Sequence, residues 1–100
     1  MSLGDLQQLT MLAVARLGRE AYGAAIRDEL ATVASRQLSV PTVYVTLVRL
    51  EEQGLVRSQD HAGDLGGRAR RVFRLTPKGW TALEEARAVT ARMWKGVVQP

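Results

Sequence analysis

The chain has no cysteine, which excludes both a disulfide scaffold and a thiolate-held metal site. It has one histidine, His61, so a histidine metal cluster would lack ligands and any Ser-His-Asp arrangement would depend on that residue. No apolar run approaches the ~18–20 residues of a membrane span, and the first residues do not read as a secretory leader. Together these absences predict a cytoplasmic chain that needs no membrane, metal or cofactor. Aromatic residues are also scarce, at 5% of the chain, so each has to be accounted for individually.

One hundred residues are enough for one domain, and 46% hydrophobic with 24% charged residues is an ordinary globular balance. A chain this short buries only about 60–65% of its unfolded surface, so its core is small unless a partner enlarges it. The net charge is +4. Between Leu55 and Gly79 lie six basic residues (Arg57, Arg68, Arg70, Arg71, Arg74, Lys78) and two acidic ones (Asp60, Asp64), while the remaining residues balance. The whole excess sits on one segment, as on a polyanion-binding surface.

Leu6, Leu9, Leu12, Ala13 and Leu17 recur at helical steps, predicting a helix over Asp5–Leu17 with Asp5 as its cap and Gly18 at its end. Tyr22, Ile26, Leu30 and Val33 repeat the pattern to Ala34. Ser39 followed by Val40-Pro41 starts a third helix, with Val43, Leu47 and Leu50 as its buried stripe and Gly54 as its stop. The period then changes. Leu55–Asp60 and Arg71–Thr76 read as the strands of a hairpin with a glycine-rich tip, and residues 37–39 are a candidate third strand. Thr76-Pro77 opens a last helix that runs to Lys95. This order predicts an α+β, mainly helical fold: a winged helix-turn-helix with a C-terminal dimerisation helix. Residues 1–76 form the DNA-binding domain and 77–100 the dimerisation helix.

With Val43, Leu47 and Leu50 inward, Pro41, Thr42, Val45, Arg49 and Glu52 fall on the opposite face of the third helix. In a helix-turn-helix that face meets base edges, where Thr42 suits a hydrogen bond and Pro41 and Val45 suit a thymine methyl. Ser39 caps this helix, and Tyr44 lies at its flank within reach of a phosphate. In the hairpin, Gly66 and Gly67 permit close backbone approach, and Arg68, Arg70 and Arg71 supply cations for phosphates. An exposed helix surface and a solvated arginine run are the alternative readings of the same residues. Asp60 and Asp64 have nothing on that tip to hold them as an acid pair, so no enzymatic role is expected.

Along the last helix, Ala82, Leu83, Ala86, Val89, Thr90, Met93, Trp94 and Val97 fall within about 140° of the helical wheel. The helices and hairpin before it already close on themselves, so this stripe calls for a second copy. The predicted dimer interface is Leu6, Leu9, Leu83, Ala86, Val89, Thr90, Met93 and Val97. Trp94 is either interface core or a wall of a cavity for a flat aromatic effector. Trp80 is read as a packing residue between helix and hairpin.

Four motifs occur in order: Ala21-Tyr22-Gly23 ahead of Ile26, Ser39-Val-Pro-Thr-Val-Tyr44, Arg49-Leu-Glu-Glu-Gln-Gly-Leu-Val56, and Gly66-Gly-Arg-Ala-Arg-Arg-Val-Phe-Arg-Leu-Thr-Pro-Lys-Gly79. Together they resemble the PadR family of transcriptional regulators, in its shorter branch with a single C-terminal helix. The resemblance implies a homodimeric repressor that binds a palindromic operator in double-stranded DNA and is released by a small aromatic or cationic effector. It places Tyr44 in the recognition-helix motif and Arg68, Arg70 and Arg71 in the wing. Pro41 and Val45 depart from the family's usual glycine and polar or basic residue, which shifts weight toward shape readout through the wing. A winged-helix protein–protein interaction module that does not bind DNA is the alternative function.

Overall fold

The computed structural model describes residues 3–61 and 70–100. The predicted wing-tip residues Gly66, Gly67 and Arg68, with Asp64, lie outside the described residues. The elements follow in the order α1 (Asp5–Leu17), α2 (Gly23–Ala34), α3 (Val40–Glu52), β1 (Val56–His61), β2 (Arg70–Leu75) and α4 (Pro77–Trp94), with one 3-10 turn at Gly18–Glu20. Strands β1 and β2 pair antiparallel from Val56 opposite Leu75 to His61 opposite Arg70. The fold is therefore mainly helical with a small sheet, the layout of a winged helix.

The core gathers Met11, Val14, Ile26, Leu30, Val43, Leu47, Leu50, Val56 and Phe73. Helix α3 buries the expected stripe of Val43, Leu47 and Leu50 and adds Thr46. Two faces sit differently from the sequence reading. Helix α1 packs against α2, α3, β2 and α4, so its buried arc is Thr10, Met11, Ala13 and Val14. Leu12 is left 44% exposed, and Val33 of α2 is 55% exposed. The apolar periodicity gave the right helices but not which edge of each stripe neighbours would cover.

Helix starts show a similar shift. Gly4 rather than Asp5 caps α1, with the Gln7 side chain accepting a hydrogen bond from the Gly4 N–H at 3.2 Å. Asp5 is the first helical residue, where a carboxylate suits the positive end of the helix, and it pairs with Arg36. Residues 37–39 form no strand. Beside β2 the third position is taken by the α1–α2 connection, through a bridge from Tyr22 to Val72 and a Phe73 N–H donated to the Ala21 carbonyl at 2.8 Å.

Helix α4 starts on the α3–β1 turn. The Thr76 hydroxyl donates to the Gly54 carbonyl at 2.6 Å and accepts from the Gly79 N–H at 3.0 Å, while Lys78 Nζ donates to the Gln53 carbonyl at 2.9 Å. Gly79 is required here: a Cβ would lie 3.1 Å from the Leu55 carbonyl carbon and nearer still to its oxygen. Beyond Ala86 every residue of α4 is exposed. The molecule is correspondingly long, with extents of 57 × 26 × 20 Å and a radius of gyration of 15.1 Å, against about 13 Å expected for a compact chain of this length.

One core atom is unsatisfied. The Thr10 hydroxyl is fully buried and has no hydrogen-bond partner among the described residues. Thr10→Val removes that desolvated hydroxyl at nearly constant shape, and we expect a gain of about 1 kcal/mol. Urea unfolding should show a raised midpoint with an unchanged slope.

Candidate nucleic-acid interface

Helix α3 presents a well-defined outer face. The Ser39 side chain accepts from the Thr42 N–H at 3.3 Å, and the two hydroxyl oxygens are 2.9 Å apart, so the cap and the first exposed turn form one hydrogen-bonded unit. Pro41, Thr42, Val45, Arg49 and Glu52 are all exposed, as the helical spacing predicts. Val45 and Val48 are 52% and 40% exposed, giving this face an apolar character with one arginine, Arg49. Among the described residues Arg49 has no carboxylate partner.

Tyr44 is held differently from a free flank residue. It is half-buried and packs against the core, with its ring edge-on to Phe73 at 6.0 Å between centroids and 67° between planes. On its other side it lies over Gly23, where a Cβ would stand 2.9 Å from Cζ and 3.1 Å from the hydroxyl oxygen. The glycine in Ala21-Tyr22-Gly23 therefore makes room for the ring that separates α2 from α3. The angle between the two helices of the motif depends on this packing.

The described wing arginines are also engaged at their base. Arg70 stacks over the Tyr22 ring at 4.5 Å from its centroid. Arg71 donates from Nη2 to Glu51 at 3.2 Å and from Nε to the Ser58 hydroxyl at 2.9 Å. The sequence reading missed Glu51 and Ser58. Strand alternation from buried Val56 puts Ser58 and the residue opposite Asp60, which is Arg71, on the inner face of the sheet, and this was the available signal. His61 is exposed and stands opposite Arg70.

The predicted dimer residues divide into two groups. Leu6, Leu9 and Ala86 are half-buried, and Leu83 belongs to the chain's own core. Val89, Met93 and Val97 are 50%, 74% and 60% exposed, and Thr90 is exposed beside them. Trp94, with Thr90, Met93 and Val97, lines a shallow hollow of about 220 Å³. Trp80 does sit between helix and hairpin, but with half its surface open. It shares a cleft of about 290 Å³ with Val14, Ala15, Gly18, Arg19 and the β2 residues 72–75. Among the described residues no group of acidic and histidine side chains is arranged to hold a metal ion. No described helix is long and apolar enough to cross a membrane.

A capped third helix with an exposed face, packed on its predecessor and followed by a basic hairpin, defines a winged helix-turn-helix protein. Residues 11–85 match the Transcriptional regulator PadR-like family, and the chain belongs to that family. It is 42% identical over 79 residues to Transcriptional regulator Rv3488 of Mycobacterium tuberculosis, covering 79% of this chain and 71% of that one. Among solved structures it resembles a PadR family transcriptional regulator from Eggerthella lenta, with a TM-score of 0.71 and 34% identity over 92% of this chain and 81% of that one. A PadR-like transcription factor from Bacteroides fragilis gives a TM-score of 0.73 at 28% identity, over 88% of this chain and 82% of that one. The complex structure of hsRosR-S4 gives 0.69 at 25% identity, over 96% and 77%. The family is one of transcriptional regulators rather than enzymes.

The contact between Gly23 and Tyr44 yields a direct test. Gly23→Ala forces the Tyr44 ring to move, and we expect a loss of about 1–3 kcal/mol in stability. Pairing it with Tyr44→Leu should recover part of that loss, as read by thermal melts followed through circular dichroism.

Proposed function

We propose that the chain is a homodimeric repressor that reads a palindromic operator in double-stranded DNA, with α3 in the major groove and the hairpin as a wing. The observation that carries this reading is the exposed outer face of α3, fixed by its Ser39 cap, beside the segment that holds the whole net positive charge of the chain. Ser39, Pro41, Thr42, Tyr44, Val45 and Arg49 are the recognition-helix set. Tyr44 serves chiefly by fixing the pose of the helix. Gly66, Gly67, Arg68 and Arg70 supply the wing's approach to the phosphates. Residues 1–76 act as the DNA-binding unit and 77–100 as the dimerisation helix.

Two variants separate the two kinds of contact. Arg68→Ala should weaken binding to every duplex alike and flatten the log–log salt dependence by about 0.9, one phosphate's share. Thr42→Ala should lower affinity for a selected operator by about 1–3 kcal/mol while leaving random duplex unaffected. Fluorescence anisotropy over a salt series reads both. A wild-type chain with no salt-dependent affinity for any duplex would instead be a winged-helix interaction module.

Dimerisation follows from the uncovered half of α4. Val89, Met93 and Val97 are too exposed for a helix that ends in solvent, and the groove between α1 and α4, lined by Leu3, Ala82, Ala86 and Val89 with Gln8, Glu85 and Thr90 at its polar edge, offers apolar surface to the stripe of a second copy. In that dimer the Trp94 hollow becomes part of the interface, where a small aromatic or cationic effector would contact it. Light scattering should give a dimer for the wild type and a monomer for Met93→Glu. A wild-type monomer at micromolar concentration would overturn the assignment of this stripe.

A further inference from the structure

Arg71 lies in the basic segment, yet its surroundings are those of an internal tie. Glu51, in the last turn of α3, accepts from the Ser58 N–H at 3.0 Å and from the Ser58 hydroxyl at 2.6 Å, both through Oε2. Its other oxygen accepts from Arg71 Nη2 at 3.2 Å, and Arg71 Nε donates to the same Ser58 hydroxyl at 2.9 Å. The three side chains form a closed ring in which the serine oxygen both donates and accepts. The Arg71 guanidinium also lies 5.8 Å from the centre of the Phe73 ring. Glu51 and Arg71 keep 31% and 46% of their side-chain surface, and the shared serine makes them part of a network rather than an isolated pair.

Two consequences follow from this geometry. Arg71 Nη2 and Nε are taken by the Glu51 carboxylate and the Ser58 hydroxyl, so these two donors are spent inside the protein rather than offered to a phosphate. The ring also joins the end of the recognition helix to both strands of the hairpin, so the two elements proposed to meet DNA are held at one mutual angle. We infer that Glu51 is a positioning residue that, through Ser58 and Arg71, sets the wing relative to α3, and that Arg71 is not a phosphate contact. The functional half of this inference rests on the DNA-binding reading above; the tie itself does not.

The test has two arms, both on the full chain. In the free protein, amide hydrogen exchange at Ser58 should accelerate in Glu51→Ala, because the carboxylate that accepts its N–H is gone. Unchanged exchange there would overturn the tie whatever DNA does. On DNA, Glu51→Ala and Arg71→Ala should each lose on the order of tenfold affinity for a selected duplex, with little loss on random duplex of the same length. The salt slope should stay at its wild-type value in Arg71→Ala, and the double variant should be no worse than either single one. Glu51→Arg combined with Arg71→Glu should recover part of the discrimination. A slope flattened by about 0.9 in Arg71→Ala, with equal loss on both duplexes, would make Arg71 a phosphate contact and overturn the inference. Glu51→Leu, which keeps a side chain of similar size but removes both acceptor oxygens, replaces Glu51→Ala if the latter fails to fold. A wild-type chain that bound neither duplex would end the DNA reading, while the exchange arm would still decide the tie.

Discussion

The structure depends on how α3 is gripped. Its inner stripe of Val43, Leu47 and Leu50 is almost completely buried, but a stripe alone leaves a helix free to slide or roll on its neighbours. Tyr44 removes that freedom near the first turn, held between the bare backbone of Gly23 and the edge of Phe73. Glu51 removes it at the last turn through Ser58 and Arg71. The outer face, with Thr42, Val45 and Arg49, is therefore carried on a helix fixed at both ends. A rigid scaffold under an exposed reading surface is what sequence recognition demands, because misplacement by an ångström spoils hydrogen bonds to base edges.

The second constraint is the length of α4. Its start is held by Thr76, Lys78 and the close approach of Gly79 to Leu55. Its far half projects with Met93 and Trp94 largely open to solvent. In the proposed dimer the same projection fixes the distance between two reading heads, which links operator spacing to the packing of one helix pair.

The sequence made much of this legible, for identifiable reasons. Ser39 with Pro41 and Thr76 with Pro77 gave two helix starts, because capping is local and does not depend on the rest of the fold. The face of α3 was also readable, since its stripe is narrow and its neighbours lie on one side. Helix α1 was harder. It is packed on several sides, so its buried arc turned away from Leu12 and took in Thr10, a choice made by its neighbours. The third strand proposed at residues 37–39 was misplaced because the position beside β2 is taken by Ala21 and Tyr22, a long-range pairing that no local pattern announces. Charge counting located the basic segment but could not divide its arginines into those facing solvent and those answering Tyr22 and Glu51.

In the proposed function two copies of this chain act on one duplex. Native mass spectrometry of the chain with a duplex selected by binding from random sequence measures it directly. A complex of two chains and one duplex is expected, with no populated one-chain intermediate at protein concentrations where the free chain is dimeric. A complex with a single chain per duplex, or none under low-salt conditions, would contradict it.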